Sequence, residues 1–278
     1  PQPGRTRMNA VSRPVAFVLA STDHGTMITN RNDYRMVDER AGYGVGYQLL
    51  NASGFDVEEV GFVKALLRLR RRHFGDGVVA IDCGANIGVH TVEWARMMHG
   101  WGEVVAFEAQ EKVFYALAGN IALNNCFNAR AFWAAVGAAP GAMTVPVPDY
   151  HRPASYGSLE LRQGARTEFI GQAIDYGVGT RTSVVSLDSL GIGRVDLVKI
   201  DVEGMEPEVL AGSEETLRRC RPQLIVETIK TDGAAVARLL EERGYRTWPM
   251  GINLLAVHAE DPSVGHLGMV DGMLDLRM

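Results

Sequence analysis

The sequence is poor in the features that identify several large classes of protein. Its 278 residues contain three cysteines, Cys83, Cys126 and Cys220, which are too few and too scattered for a disulfide framework or a zinc knuckle. No apolar run approaches the roughly 20 residues of a membrane span, and residues 1–10 contain no apolar segment typical of a secretory signal. We therefore expect a cytoplasmic protein that has reduced thiols and no membrane partner.

Positive charge is also scarce. The chain has 28 lysine and arginine residues against 33 aspartate and glutamate residues, so its net charge of −5 does not attract nucleic acid. Both the G-x-S-x-G nucleophile elbow and the Walker A loop are missing, which excludes serine hydrolases of that type and P-loop NTPases. No His, Cys and Asp residues stand at metal-ligand spacing, so we expect no dedicated metal site. The expected partner is a small molecule, and a homo-oligomer is an open alternative.

What the sequence does contain is a strand, a glycine-rich turn and a helix in immediate succession. Residues 78–81 are predicted to form a buried strand with Asp82 at its end, Gly84 and Gly88 bracket the turn, and a helix follows over 89–98. Such a unit presents backbone N–H groups of a helix N-terminus to a ligand, and the missing Cβ atoms permit close approach. An ordinary strand–helix turn that needs glycine only for a positive φ is the alternative.

Glu108 indicates what kind of ligand this unit binds. It ends a second predicted strand, twenty residues after Gly88, where an acid hydrogen-bonds a ribose diol. The turn reads D-x-G-x-N-x-G, not G-x-G-x-x-G, and its leading carboxylate, Asp82, suits an ammonium group better than a pyrophosphate. The pattern therefore favours S-adenosylmethionine (SAM) over the cofactor of a nicotinamide dehydrogenase.

From residue 78 onward, predicted strands and helices alternate, which is typical of a doubly wound, mostly parallel α/β sheet. The seven predicted strands cover 78–82, 103–108, 131–136, 196–201, 223–227, 245–249 and 253–258. A short turn precedes the last strand, which should therefore run against the others. Helices are predicted over 89–98, 111–124, 206–219 and 233–243.

Two segments lie outside this alternation. Residues 1–77 are predicted to be an extension of strands and one helix that packs on the core domain, 78–278; within it, 46–50 is predicted to be a strand. Residues 138–186 follow the third strand and are predicted to be a β/loop insertion that contacts the substrate. Its candidate contacts are Tyr150, His151, Arg152, Tyr156 and Arg181. A basic face on the helix of the extension is either an anion-binding ledge or a solvated surface; it contains Lys64, Arg68, Arg71 and Arg72.

Acidic residues stand at the carboxyl ends of four predicted strands: Asp82, Glu108, Asp201 and Glu227, with Glu203 close behind. The ligand crevice of an open parallel sheet lies at this edge. Several carboxylates at one edge are unfavourable without a ligand, a cation or N–H donors, so a site is favoured. Alternatively, Lys199 pairs with Asp201, and Glu203 caps a helix. A hard divalent cation on Asp201, Glu203 and Glu227 is a further open alternative.

These segments resemble the FkbM family of SAM-dependent methyltransferases. The resemblance runs through I-D-C-G-A-N-I-G-V-H-T at 81–91, V-A-F-E at 105–108 and L-V-K-I-D-V-E-G at 197–204, and it covers roughly 78–258. It implies a Rossmann-like class I methyltransferase fold and transfer of a methyl group from SAM, which leaves S-adenosylhomocysteine (SAH). The usual acceptor is a hydroxyl of a natural product, sugar or lipid. N-methylation and a non-catalytic SAM- or nucleoside-binding module are the alternatives.

The resemblance also implies roles for particular residues. The methionine end of SAM would lie against Asp82, Gly84, Ala85, Asn86 and Gly88, the ribose would lie against Glu108 and Ala109, and residues near Ala135 and Val136 would flank the adenine. Asp201 would contact the cofactor, and it is the first candidate for the catalytic acid that accepts a proton, followed by Glu203 and Glu227. Ala109-Gln110-Glu111 departs from the Pro-x-Pro that commonly follows Phe-Glu in this family. The first 77 residues have no recognisable counterpart, so the acceptor is not identified.

Overall fold

A computed structural model describes residues 14–164 and 167–277 of the chain, so the expected absence of a signal in residues 1–10 lies outside the described part. None of the described helices has the combination of length and apolar character that a membrane crossing requires. The N-terminal part forms two short hairpins and two helices. These elements are β1 (Phe17–Thr22), β2 (Gly25–Asn30), β3 (Arg35–Met36), β4 (Gly42–Tyr43), α1 (Val45–Ala52) and α2 (Val57–Phe74).

The prediction of a strand over 46–50 is wrong, because this segment belongs to α1. The Asp33 side chain accepts a hydrogen bond from the Gly46 N–H at 3.0 Å, which satisfies a free donor at the start of the helix. Val45 and Leu49, one turn apart, are buried on the same face. The group that stabilises the helix start thus comes from outside the local pattern.

The remainder of the chain alternates strands with helices and ends in a hairpin. Its elements are β5 (Val78–Cys83), α3 (Val89–Met97), β6 (Gly102–Glu108), α4 (Glu111–Leu123), β7 (Ala129–Trp133), β8 (Ala135–Val136), β9 (Gly141–Pro146), β10 (Gly179–Val185), β11 (Leu197–Ile200), α5 (Glu206–Ala211), α6 (Glu214–Cys220), β12 (Gln223–Glu227), α7 (Gly233–Glu241), β13 (Tyr245–Met250), β14 (Asn253–His258), β15 (Leu267–Val270) and β16 (Met273–Leu276).

A seven-stranded sheet organises this part, in the order β13-β14-β12-β11-β5-β6-β7. Strand β14 is antiparallel to both neighbours, and the other neighbouring pairs are parallel. The predicted doubly wound, mostly parallel fold with a reversed last strand is confirmed. The carboxyl ends of β5, β6, β11 and β12 consequently meet at one edge.

Helices cover both faces of the sheet. Successive side chains of β5 point to opposite faces. Ala80 belongs to an apolar cluster with Leu66 of α2 and Trp94 of α3, whereas Ile81 belongs to a second cluster with Leu210 of α5. Burial on both faces is the physical reason for the uninterrupted apolar sequence of this strand.

Two predicted elements are divided in the structure. The predicted strand 131–136 breaks at Ala134: β7 stays in the main sheet, whereas β8 pairs with β10 in a separate three-stranded sheet. The predicted helix 206–219 is interrupted at Gly212, where a Cβ atom would lie 2.3 Å from the carbonyl oxygen of Gly137. This close backbone approach accepts only glycine, and glycine weakens the helix there.

The segment 138–186 contains β9, β10 and the long connection between them. The two strands are antiparallel, and the connection has an apolar cluster of its own, formed by Ala154, Tyr156, Leu159 and Ile170. The Asp33 carboxylate, which holds α1, also accepts the Tyr156 N–H at 3.0 Å. One buried side chain therefore joins this segment to the N-terminal part.

A buried ion-pair network anchors α2 to the sheet. Arg70 is 5% exposed, and its guanidinium lies 3.1 Å from Asp196 and 2.6 Å from Asp261. The second oxygen of Asp196 accepts the Val79 N–H of β5 at 2.9 Å. One arginine thus connects the N-terminal part with the central strands and with the chain after β14.

Arg70→Met should lower the free energy of unfolding by about 3–5 kcal/mol, because it leaves the buried Asp261 carboxylate without its cation and leaves Asp196 with Arg194 alone. Arg72→Met, which changes an exposed arginine of the same helix, is the matched control and should stay within about 0.5 kcal/mol of the original protein. Urea unfolding followed by circular dichroism measures both. Equal stability of the two variants would mean that the network does not anchor α2.

Candidate functional site

The carboxyl ends of the central strands open into a cavity of about 420 Å³, a volume within the range of small-molecule sites, roughly 300–1,000 Å³. Most of the predicted site residues line it. They are Gly84, Ala85, Asn86, Glu108, Ala109, Ala135, Val136 and Asp201 of the cofactor set, and Glu203 and Glu227 of the catalytic set.

Gly84 brings the glycine turn against the chain that follows β11. It has φ +78°, and a Cβ atom on it would lie 1.7 Å from the carbonyl oxygen of Asp201. Only glycine permits both the positive φ and this approach. The turn and the acids after β11 are therefore held together by backbone contact.

Asp82 and Gly88 do not line the cavity. Asp82 is 1% exposed, and its carboxylate accepts a hydrogen bond from the Thr91 hydroxyl at 2.6 Å. Gly88 starts α3 with φ +88°, and a Cβ atom there would lie 2.5 Å from Leu117 of α4. Both residues pack on the buried side of the turn, away from the cavity. The Asp82 carboxylate therefore does not occupy the position expected for contact with an ammonium group.

The Glu108 carboxylate lies between the glycine turn and the loop after β6. Its two oxygens accept the Asn86 N–H at 2.9 Å and the Gln110 N–H at 2.8 Å. Burial raises the pKa of Glu108 to about 7, against the opposing effect of the two N–H donors. A buried carboxylate with a raised pKa thus stands at the cavity wall.

One side of the cavity is apolar. Ala109, Ala135 and Val136 form it together with Phe107 and Leu161. Leu161 comes from the 138–186 segment, so a sequence pattern confined to the sheet does not reveal it. Small side chains at this side leave room for a flat ring.

Asp201, Glu203 and Glu227 come together at the opposite side, with one oxygen of each within 4.8 Å of the others. Lys199 Nζ donates to Asp201 at 2.6 Å, and Lys230 Nζ lies 2.5 Å from Glu203. Burial and the neighbouring negative charges raise the pKa of Glu203 well above its usual value and that of Glu227 to about 8. Glu227 has a buried oxygen, Oε2, for which the described residues offer no hydrogen-bond partner, and unlike Asp201 and Glu203 it forms no ion pair with a described residue.

Lys230 connects the acids to the 138–186 segment. Its Nζ donates to the Ser158 carbonyl oxygen at 2.6 Å and lies 3.4 Å from Glu168. Glu168 in turn accepts the Tyr43 hydroxyl of β4 at 2.6 Å. Glu203 itself has a left-handed backbone with φ +57°, a conformation that a non-glycine residue adopts at a cost of about 1–3 kcal/mol.

The spacing of Asp201, Glu203 and Glu227 also suits a divalent cation. The ammonium groups of Lys199 and Lys230 already contact two of these acids, and their charges oppose the binding of a dication. That no metal binds stays a prediction.

Several cavity residues were not predicted from the sequence. Tyr43 and Glu59 of the N-terminal part and Ser158 and Glu168 of the 138–186 segment line the cavity, although no motif surrounds them. The predicted contacts of that segment do not line it, and these are Tyr150, His151, Arg152, Tyr156 and Arg181. The basic face of α2 lies outside as well, and its Lys64 pairs with Glu93 at 2.5 Å.

Comparison with known proteins gives a consistent set of relatives. Residues 82–247 match the family described as Methyltransferase FkbM domain. The methyltransferase sdnD of Sordaria araneosa is 27% identical over 189 residues, which cover 59% of this chain and 72% of that protein. The 31-O-demethyl-FK506 methyltransferase FkbM of Streptomyces tacrolimicus is 32% identical over 191 residues, which cover 61% of this chain and 73% of that protein.

Among solved structures, methyltransferase FkbM from Methylobacillus flagellatus KT is 15% identical with a TM-score of 0.43. The match covers 66% of this chain and 43% of that one, so this chain spans less than half of its length.

Gly84→Ala should destabilise the protein far more than Gly100→Ala. Both glycines have a similar positive φ, +78° and +80°, but a Cβ atom at position 100 meets nothing within 4 Å. The free energy of unfolding of the control should fall by about 1–3 kcal/mol because of the backbone conformation alone. That of Gly84→Ala should fall by the same amount and by about 1–3 kcal/mol more because of overpacking. Chemical unfolding measures the difference. Equal losses would mean that the turn does not depend on its contact with Asp201.

Proposed function

Because the chain belongs to the FkbM methyltransferase family and uses SAM as its methyl donor, we propose that it methylates a hydroxyl oxygen of a small natural product, sugar or lipid. The observation that carries this proposal is the meeting of three carboxylates beside the glycine turn, in one cavity. A hydroxyl loses its proton during methylation, and a neighbouring carboxylate can accept it. The Streptomyces relative is named for an oxygen of FK506, which also supports this acceptor class.

The residues of the cavity fit SAM. In the proposed arrangement Glu108 accepts hydrogen bonds from the ribose hydroxyls, and Ala109, Ala135 and Val136 flank the adenine. The Gly84 turn faces the methionine end. Support comes from the buried Glu108 carboxylate, from the apolar side next to it and from the unpartnered oxygen of Glu227, which indicates a site for a further polar or charged group.

Bound SAM supplies a methyl carbon that is already electrophilic. The protein then has to place the acceptor oxygen in line with that carbon, at the near-attack distance of about 3 Å, and to remove its proton. We assign the acceptor side to the N-terminal extension, 1–77, and to the 138–186 insertion, both of which contribute cavity residues. Tyr43, Ser158 and Glu168 are the cavity residues that would face the acceptor.

Glu227 is the best-placed acid for proton removal. Lys199 pairs with Asp201 and Lys230 pairs with Glu203, so each of these acids already has a cationic partner. Glu227 has neither an ion-pair partner nor a hydrogen-bond partner for its Oε2 among the described residues, and its raised pKa makes it a stronger base than an ordinary carboxylate. The ion pairs thus reverse the order in which the sequence ranks these three acids.

The affinity for SAH should decrease as the pH falls below about 7, the raised pKa of Glu108. Ribose binding requires the carboxylate, so each pH unit below the pKa lowers the association constant by up to about tenfold. Glu108→Gln should weaken SAH binding by about 1.5–3 kcal/mol and remove this part of the pH dependence. Calorimetric titration at several pH values, with Glu111→Gln outside the cavity as the control, measures both effects. Retention of the full pH dependence in Glu108→Gln would rule out this role.

Glu227→Gln should lower kcat on a hydroxyl acceptor by about 10²–10⁴, because it removes the proton acceptor and preserves the shape of the side chain. In the original protein kcat/KM should rise with pH and level off above about 8, where Glu227 is ionised. Labelled methyl transfer from SAM to a panel of hydroxylated compounds, with NMR of the products, identifies the methylated atom.

The matched control for this measurement is Glu242→Gln, which changes an exposed acid at the end of α7 and should keep full activity. Products that carry only N-methyl groups would contradict the proposed acceptor. Full turnover of Glu227→Gln on a hydroxyl acceptor would contradict the role of Glu227 and leave the acceptor class standing.

A further inference from the structure

Glu59 is a cavity residue that neither the sequence motifs nor the family match explains. It lies in the first turn of α2, outside the matched residues 82–247. It lines the same cavity as Glu108 and Asp201, and its side chain is 20% exposed. An acid that is mostly buried in a ligand cavity requires a compensating partner.

The groups that contact Glu59 directly are uncharged. Asn253 Nδ2 donates to Glu59 Oε2 at 2.8 Å, and His90 Nε2 lies 3.4 Å from Oε1. Burial lowers the pKa of His90 well below its usual value, so the ring is neutral at neutral pH. These contacts fix the orientation of the carboxylate without balancing its charge.

Lys199, the cation whose charge acts on Glu59, is already paired with another acid. The charge of Lys199 lowers the pKa of Glu59, but burial raises that pKa by a larger amount. Lys199 Nζ donates directly to Asp201 at 2.6 Å. The negative charge of Glu59 is therefore left without a cation of its own among the described residues.

A second group at the same wall also lacks a partner. Asn253, which orients Glu59, lies opposite Glu227 in the pairing of β12 with β14. Glu227 is 8% exposed, lines the cavity and has the buried Oε2 for which the described residues offer no hydrogen-bond partner. Glu59 and Glu227 are two carboxylates at one wall, and neither forms an ion pair with a lysine or arginine of the described residues. This arrangement favours a ligand that carries a cationic group.

The position of Glu59 matches the amino-acid end of the cofactor site. Its neighbour His90 stands two residues after Gly88, at the start of α3, and His90 lines the same cavity as Gly84, Ala85 and Asn86 of the turn. Asp82, the acid that the sequence suggested for an ammonium group, lies behind this wall with its carboxylate bonded to Thr91. Glu59 stands on the cavity side of the same turn.

We propose that Glu59 binds the α-ammonium group of SAM and SAH, with Asn253 and His90 holding its carboxylate in place. The N-terminal part thereby completes the cofactor site that the family region provides. This proposal depends on SAM as the cofactor and not on the identity of the acceptor.

A thermodynamic cycle tests the pairing. Calorimetry should compare SAH with 4-(5′-adenosylthio)butanoate, the analogue of SAH that lacks the amino group, in the original protein and in Glu59→Gln. The original protein should prefer SAH by about 10–100-fold, the effect of one charge-assisted hydrogen bond. In Glu59→Gln the two ligands should bind within about twofold of each other. Glu58→Gln, an exposed acid one residue earlier on α2, should keep the preference of the original protein.

5′-Methylthioadenosine, which lacks the whole amino-acid part, serves as the internal control. It should bind Glu59→Gln and the original protein equally, which shows that the ribose and adenine sites are intact. Loss of affinity for this ligand equal to that for SAH would overturn the proposal, because Glu59 would then be structural.

Persistence of the SAH preference in Glu59→Gln would also overturn the proposal, since the ammonium group would bind elsewhere; SAH binding itself would leave the methyltransferase assignment intact. If Glu59→Gln is too unstable to assay, Glu59→Asp keeps the charge on a shorter side chain. It should retain a smaller preference for SAH, and a preference as large as that of the original protein would overturn the assignment.

Discussion

The site depends on how closely the ends of two parallel strands approach each other. The hydrogen-bond ladder between β5 and β11 continues to the pair Cys83 and Ile200, and the Asp201 N–H still donates to the Cys83 carbonyl at 3.1 Å. Immediately beyond, Gly84 lies against the Asp201 carbonyl at a distance that leaves no space for a side chain. The glycine turn and the acid cluster are consequently fixed to one another by the backbone, and no movable side chain is involved.

The two chains have to separate as soon as the ladder ends. On one side Gly84 turns with a positive φ, and on the other Glu203 does so although it carries a side chain. A left-handed glutamate is unfavourable unless its surroundings hold it. Here the ion pair with Lys230 supplies such a contact. Glu203 therefore has both a strained backbone and a carboxylate that belongs to the acid cluster.

The sequence predicts those parts of the molecule whose determinants are local. Strand β12 matches its predicted bounds, 223–227, because an apolar run buried on both faces has a clear beginning and end. The acids Asp201, Glu203 and Glu227 were predicted as a group because parallel strands bring their carboxyl ends to one edge. Asp82 shows the limit of this argument: its position at the edge is predictable, but its bond to Thr91, which turns the carboxylate away from the cavity, is not.

The features that could not be predicted from the sequence depend on contacts between segments that are distant along the chain. Helix α1 begins where Asp33 provides an acceptor from another turn of the chain, so a strand was predicted over 46–50 in its place. Glu59 and Glu168 reach the cavity through tertiary packing and belong to no motif. Their side chains are ordinary for a helix and a loop, and only the folded arrangement distinguishes them from surface acids.

The position of Lys230 couples two properties of the enzyme. A single ammonium group contacts Ser158 and Glu168 of the 138–186 segment and Glu203 of the acid cluster. Any displacement of that segment would therefore change the proton affinity of Glu203, and by thermodynamic reciprocity a change in the protonation of Glu203 would alter the free energy of such a displacement. The covering of the cavity and the charge state of its acids are thus one linked equilibrium.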